Sequence, residues 1–263
     1  MSAGEALDRF LTRRWKRSWA DARLAIHQRR VAINSQVSKR YHVRLRAEDL
    51  ITLDGVVVED GVDDGVVLCH KPLGYACSHE AKHQPLLYDL VPGALAHPDL
   101  QAAGRLDRDT TGLLVLTIDG PLIQRLTAPR NRCRKRYRLR YQGVLASDSV
   151  LRVAQGLQLT DDPLPCLPAE LIVQALPTGG GHATLVLAEG RFHQVKRMIL
   201  ALGGEVTQLH RERIGGLELP ADLAAGAMRP ATAQECAALL TKVPSATAWP
   251  PLPDGTAHTD ASM

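Results

Sequence analysis

The sequence predicts an α+β protein in two units, a small basic one ahead of a larger body rich in strands. Three observations carry this reading. Residues 5–58 combine helical apolar stripes with short strand-like pieces, and the chain after Val66 alternates apolar strands with turns. Charge divides at nearly the same place. Residues 1–46 hold twelve Lys and Arg against three acids, while the remainder holds twenty against twenty-five. Such asymmetry is the electrostatic footprint of a polyanion binder joined to a nearly neutral body.

The elements follow in order. Leu7, Phe10 and Leu11 share one helical face. Ser18 is placed to cap a second helix whose Ala22, Ala25 and Ile26 face inward, and Arg29-Arg30 ends it with cations at its negative terminus. Val31–Ile33 and Leu50–Leu53 read as strands, with Asp54-Gly55 as a turn. The acidic, glycine-containing stretch 59–65 reads as a linker. Strands are then expected from Val66 and over Leu113–Ile118, Tyr137–Tyr141, Leu171–Gln174 and Ala183–Leu187. A helix over Gln194–Leu202 has the stripe Val195, Met198, Ile199 and Leu202 and stops at Gly203-Gly204. Residues 244–263, rich in Pro, Ala, Thr and Ser, read as a disordered tail. The boundaries are drawn at 1–60, 61–243 and 244–263.

Composition excludes several classes. No apolar stretch approaches the ~18 residues of a membrane span, and the charged N-terminus lacks the apolar run of a secretory signal. Five widely spaced cysteines without a Cys-x-x-Cys argue against a disulfide framework or zinc site and for a reducing cytoplasm. His79 and His83 fit one helical face, but no third ligand accompanies them, so no metal is expected. Aromatics make up only 4% of residues, so aliphatic side chains must fill the core.

Two charged segments bear on function. Gly104-Arg105-Leu106-Asp107-Arg108-Asp109-Thr110-Thr111-Gly112-Leu113 sets two acids and two arginines between glycines, just before the apolar run Leu113–Leu116. Charge at the entry to a buried strand is costly unless paired or used. On local pattern, Asp109 or Thr110 closes the turn and Asp107 pairs with an arginine. Further on, seven cations fall between Arg130 and Arg140. Read as a strand, Arg130, Arg132, Arg134, Arg136, Arg138 and Arg140 share one side, ~6–7 Å apart, a spacing suited to phosphates.

These residues, with three further blocks, resemble the ribosomal RNA pseudouridine synthases. Residues 104–120 resemble the catalytic segment, and His70-Lys71-Pro72-Leu73-Gly74-Tyr75 the entry strand and loop. Lys135-Arg136-Tyr137 is similar to the basic-x-Tyr segment, and Glu189–Met198 to the C-terminal signature helix. Leu209–Leu217 resembles the branch that modifies small-subunit (16S) rRNA, and residues 5–58 resemble the S4 RNA-binding domain that this branch carries. Two departures stand out: His70 where the family often has Asn, and Phe192 where the nearest branch often has Tyr.

The resemblance implies a mixed, mostly antiparallel sheet with flanking helices and an S4-like module in front. It implies isomerisation of a specific uridine, needing no cofactor. Asp107 matches the essential carboxylate, Asp109 is then a turn or cap acid, and Tyr137 matches the tyrosine that stacks on the base. Lys196 is the expected cationic partner of Asp107, with Arg197 as the alternative. The expected RNA contacts are Arg105, Arg130, Arg132, Arg134, Arg136 and Lys71, with Arg13, Arg14, Arg17, Arg29 and Arg30 from the basic unit. Lys71 is equally a solvated strand-end lysine, and His193 and Gln194 either touch RNA or orient Lys196. A cytoplasmic monomer acting on 16S rRNA, in a small-subunit assembly intermediate and away from membranes, is expected. The rivals are a synthase for 23S rRNA, a non-catalytic S4-type assembly factor and a glycosidase-like hydrolase. The last lacks an evident second catalytic carboxylate.

Overall fold

The computed structural model describes residues 4–15, 17–58, 65–80, 84–160, 162–177 and 179–243. Most of the expected linker, His83 and the expected tail lie outside the described residues.

The N-terminal unit is two helices on a small sheet. Helices α1 (Leu7–Trp15) and α2 (Trp19–His27) precede β1 (Val31–Ile33), β2 (Gln36–Val37), β3 (Ile51–Leu53) and β4 (Val56–Val57). The strands are antiparallel in the order β2-β1-β3-β4. Leu7, Phe10 and Leu11 pack on Ala22, Ala25 and Ile26, and Val31 and Ile51 close the same core. Ser18 caps α2 reciprocally: its Oγ accepts from Asp21 N at 3.1 Å while the Asp21 carboxylate accepts from Ser18 N at 3.3 Å. Asp54 and Gly55 both have positive φ, 52° and 80°, as a tight hairpin turn requires.

The body begins with β5 (Val66–Lys71), β6 (Gln101–Ala102), β7 (Thr110–Thr117) and α3 (Gly120–Thr127). It continues through β8 (Lys135–Gly143), α4 (Ser149–Gln155), β9 (Glu170–Ala175), β10 (Gly181–Leu187) and α5 (Gln194–Ala201). Strands β11 (Gly204–Ile214), β12 (Leu217–Glu218) and β13 (Met228–Pro230), then α6 (Ala233–Leu240), complete it. Its sheet runs β13-β5-β7-β11-β8-β10-β9, with β6 on β7 and β12 on β11. Every pairing is antiparallel except β7 with β11, so the sheet is mixed and mostly antiparallel.

Successive side chains of β7 serve opposite cores, which explains its unbroken apolar run. Leu114 and Leu116 join Leu139, Leu185, Met198 and Ile199 on the face covered by α5. Leu113 and Val115 join Leu122, Leu126 and Leu239 on the face covered by α3 and α6. Each such side chain contributes roughly 1.5–3 kcal/mol by leaving water. The strand starts three residues before the expected Leu113, because Thr110–Gly112 pair with Leu209–Arg211 of β11. The approach there is close: a Cβ on Gly112 (φ 111°) would stand 2.2 Å from the Arg211 carbonyl oxygen. Only glycine fits.

Candidate active site

The loop from Gly104 to Asp109 links β6 to β7 and is held by two buried cations. Arg211 donates from Nε to Leu113 O at 2.8 Å and from Nη2 to Gly104 O at 3.1 Å. Lys71, fully buried at the end of β5, donates to Thr110 O at 2.8 Å, Pro72 O at 3.0 Å and Arg108 O at 3.3 Å. Its ammonium is spent on backbone carbonyls, which excludes the expected contact with RNA phosphate and the solvated alternative alike. Burial pushes the Lys71 pKa below its ordinary value, while nearby thiols and the Asp109 and Asp107 carboxylates pull it back. Gly104 takes φ 88°, a conformation that glycine adopts without penalty.

Helix α5 is aimed by the turn in front of it. The buried Glu189 carboxylate accepts from Gln194 Nε2 at 2.7 Å, Leu167 N at 2.9 Å and Arg191 Nε at 3.3 Å. Gln194 Oε1 in turn accepts from Arg191 N at 2.9 Å. Gln194 is therefore a buried brace. His193, left-handed at φ 47°, turns its ring to the loop and brings Nε2 to 3.4 Å from Asp107 Oδ1. Phe192, 74% exposed, stacks on the His193 ring with centroids 3.9 Å apart.

Lys196 then meets both acids of the loop, at 3.1 Å from Asp107 Oδ2 and 2.6 Å from Asp109 Oδ1. Arg197 points elsewhere, to Asp162 at 3.2 Å. Desolvation opposes charge on Lys196, but the two carboxylates outweigh it and hold its pKa above the ordinary lysine value. Asp109 likewise pays desolvation first, and the Lys196 hydrogen bond and charge still carry its pKa below the usual carboxylate value. Asp109 was expected to close the turn. Its carboxylate instead reaches across to α5, and the turn is closed by Thr110 N donating to the Asp107 carbonyl at 3.1 Å.

Asp107, Tyr137 and Lys196 line one cleft of about 260 Å³. That is a little below the range of about 300–1,000 Å³ usual for ligand pockets. Tyr137 is buried on β8 opposite Arg211 in the register with β11. Lys135, Thr110 and Arg211 line the same cleft. A carboxylate, an aromatic ring and a paired cation thus converge on a space that admits a small planar group.

A family model described as RNA pseudouridylate synthase matches residues 65–201, which contain the loop, Tyr137 and Lys196. The chain belongs to the RNA pseudouridylate synthase family. It is 37% identical to the ribosomal small subunit pseudouridine synthase A of Yersinia pestis, over 89% of this chain and 97% of that one. Its identity to the protein of the same name from Escherichia coli (strain K12) is also 37%, over 89% and 99%. A crystal structure titled pseudouridylate synthase aligns with a TM-score of 0.60 at 34% identity, covering 89% of this chain and 99% of that chain.

The cations that the sequence marked on this synthase do not form one row. Only Arg136, Arg138 and Arg140 share a face of β8; Arg130 lies in a short 3-10 turn that ends at Arg132, which is left-handed at φ 48°. Arg136 is engaged by Glu212 at 3.0 Å and Glu218 at 3.0 Å, Arg138 by Glu212 at 3.2 Å, and Arg134 by Glu170. Carboxylates from neighbouring strands thus neutralise the middle of the expected phosphate track. In the basic unit Arg13 pairs with Glu5 at 2.7 Å and Arg30 with Asp54 at 2.6 Å. Arg17, Arg29, Arg105, Arg130 and Arg132 are exposed. Arg130 and Arg132 line a larger groove of about 880 Å³, together with Arg125 and Lys242. Among the described residues no group of three or more His, Cys, Asp or Glu is placed to hold a metal, and no helix is long and apolar enough to cross a membrane. Glu189, Lys135 and Arg211 were not singled out for the site in the sequence, although Glu189 opens the signature block and Lys135 precedes Tyr137 by two.

Proposed function

We propose that this synthase converts one uridine of small-subunit (16S) ribosomal RNA to pseudouridine in the cytoplasm, with Asp107 as the essential carboxylate. The observation that carries the chemistry is Asp107 held at 3.1 Å from Lys196 in the cleft that also contains Tyr137. The small-subunit target rests on relatives so named that match over nearly their whole length.

The target uridine swings out of its stack, at a cost of a few kcal/mol, and enters the cleft against the Tyr137 ring. An Asp107 oxygen forms a bond to C1′ as the N1–C1′ bond breaks, and the electron pair of that bond stays on uracil. The base turns, its C5 attacks C1′, and the carboxylate leaves. A proton departs from C5 and one is taken up at N1, so substrate and product are isomers. Lys196, 3.1 Å from Asp107 Oδ2, holds the carboxylate in place and offsets its negative charge. His193, on the other carboxylate oxygen, fixes the direction of attack.

The N-terminal unit supplies an S4-like grip through exposed cations such as Arg17 and Arg29, and Arg105, Arg130 and Arg132 add phosphate contacts on the body. A monomer acting on an assembly intermediate of the small subunit fits this layout. The test is release of tritium from small-subunit rRNA labelled at uridine C5. Asp107→Asn abolishes release while RNA binding stays near the parent value. Turnover by that variant would overturn the catalytic assignment, and parent activity confined to large-subunit RNA would overturn the target.

A further inference from the structure

Lys135, only 5% accessible, stands at the start of β8 between β10 and β11. It shares the inward face of that strand with Tyr137, and it lines the cleft with Asp107 and Lys196. Among the described residues its ammonium has no hydrogen-bond or ion-pair partner. Its titratable neighbours are the Cys133 thiol and a second cation, Arg211, also buried and also on the cleft wall. Every other buried cation of the site is accounted for: Lys71 and Arg211 by backbone carbonyls. On the same wall the Thr110 hydroxyl is buried without a partner. Polar groups on a largely buried wall are normally paired, and here a cation and a hydroxyl face the cleft with no protein partner. The cleft is therefore built around an acceptor that arrives with the substrate.

We propose that Lys135 is a catalytic residue that stabilises the negative charge on uracil as the base leaves C1′. The inference rests on the reading of Asp107 given above. When the N1–C1′ bond breaks, its electron pair passes to uracil and spreads over N1 and the two carbonyl oxygens. That charge exists only between cleavage and rejoining, so a fixed cation facing it favours the transition state over bound uridine. Depth decides between a uracil oxygen and a phosphate as the acceptor. The phosphates of a flipped nucleotide stay at the mouth, where Arg105 is exposed, whereas the base alone reaches the level of Tyr137 and Lys135. Burial, the largest influence, lowers the Lys135 pKa; Cys133 opposes it and Arg211 adds to it.

Lys135→Met removes the charge while keeping length and apolar fit. In single-turnover assays on the small-subunit transcript, the expected result is a loss of ~10²–10³-fold in rate, with RNA affinity unchanged. A rate close to the parent's overturns the proposal, and so does a loss that lies wholly in RNA affinity. Lys135→Ala is the second arm and decides the matter if the methionine variant does not fold. Added ethylammonium is expected to restore turnover, whereas ethanol, its neutral counterpart in size, does not. Equal rescue by both, or by neither, assigns Lys135 to packing and overturns the proposal. Full activity of Lys135→Met beside an inactive Asp107→Asn would sink this inference alone; activity of Asp107→Asn would sink the reading beneath it.

Discussion

The Lys196 ammonium lies closer to Asp109, at 2.6 Å, than to Asp107, at 3.1 Å. One cation is thus shared by two acids of unlike setting, since the Asp109 side chain is 66% exposed and that of Asp107 31%. The exposed partner is the weaker anchor, because water screens it. Asp107 keeps its hold through the second contact from His193.

Replacing each member of this trio separates their roles. Asp109→Asn frees Lys196 for Asp107 alone, and kcat is expected to stay within ~3-fold of the parent, as for other screened surface pairs. Lys196→Met strips Asp107 of its counter-charge and is expected to lower kcat by ~10²-fold. Tritium-release kinetics on both variants check this, with KM as the control for RNA binding. A larger loss for Asp109→Asn than for Lys196→Met would reverse the assignment of the two acids.

Lys71 distinguishes a grip on RNA from a grip on the loop. Its three carbonyl acceptors come from Pro72, Arg108 and Thr110, so it ties β5 to both ends of the segment after Asp107. Lys71→Met leaves those carbonyls without their donor, and a loss of about 1–3 kcal/mol in stability is expected, with a fall in kcat as the loop loosens. The dependence of RNA affinity on salt is expected to be unchanged, because no phosphate contact is lost. Denaturant melts and binding at several salt concentrations test the two halves separately. A shallower salt slope would return Lys71 to the RNA interface.

What was legible in the chain, and what was not, follows from the range of the interactions. The stripe Leu7, Phe10, Leu11, the Ser18 cap and the Asp54-Gly55 turn are decided within a few residues, and each stands where the local pattern puts it. Motif order set Asp107 and Lys196 in separate blocks, and their 3.1 Å approach joins parts about 89 residues apart that no local pattern brings together. The burial of Lys71 was not legible, because its acceptors are backbone atoms brought together only by β5 and β7 pairing. The arginine row failed for a similar reason. Alternation correctly predicts that Arg136 and Arg138 share a face, but Glu212 and Glu218 reach that face only through the register of β11 and β12. Helix α6 is a different case. Its capping box, Thr232 with Glu235, is a purely local signal that went unread in the sequence.

That capping box carries the clearest pH dependence in the body. Glu235 accepts from Arg229 at 2.7 Å and 2.8 Å and from Thr232 N at 2.8 Å. The Arg229 hydrogen bonds come first among the causes, desolvation opposes them, and the Glu235 pKa falls to about 2. A carboxyl group whose folded pKa lies below its unfolded value stabilises the fold above the unfolded pKa, near 4.5 here. That contribution disappears as pH falls through 4.5 toward about 2. Discounted for partial exposure, its size is about 1–2 kcal/mol. Glu235→Gln removes the charge, so its stability is expected to lie below the parent's by that amount at pH 7 and to converge with it near pH 2. Leu239, buried against Leu122 and Leu126, transmits the loosening of α6 to that face of the sheet. Urea melts at steps between pH 7 and pH 2 measure the gap. A gap that persists undiminished to pH 2 would show that Glu235 acts through its shape and not through its charge.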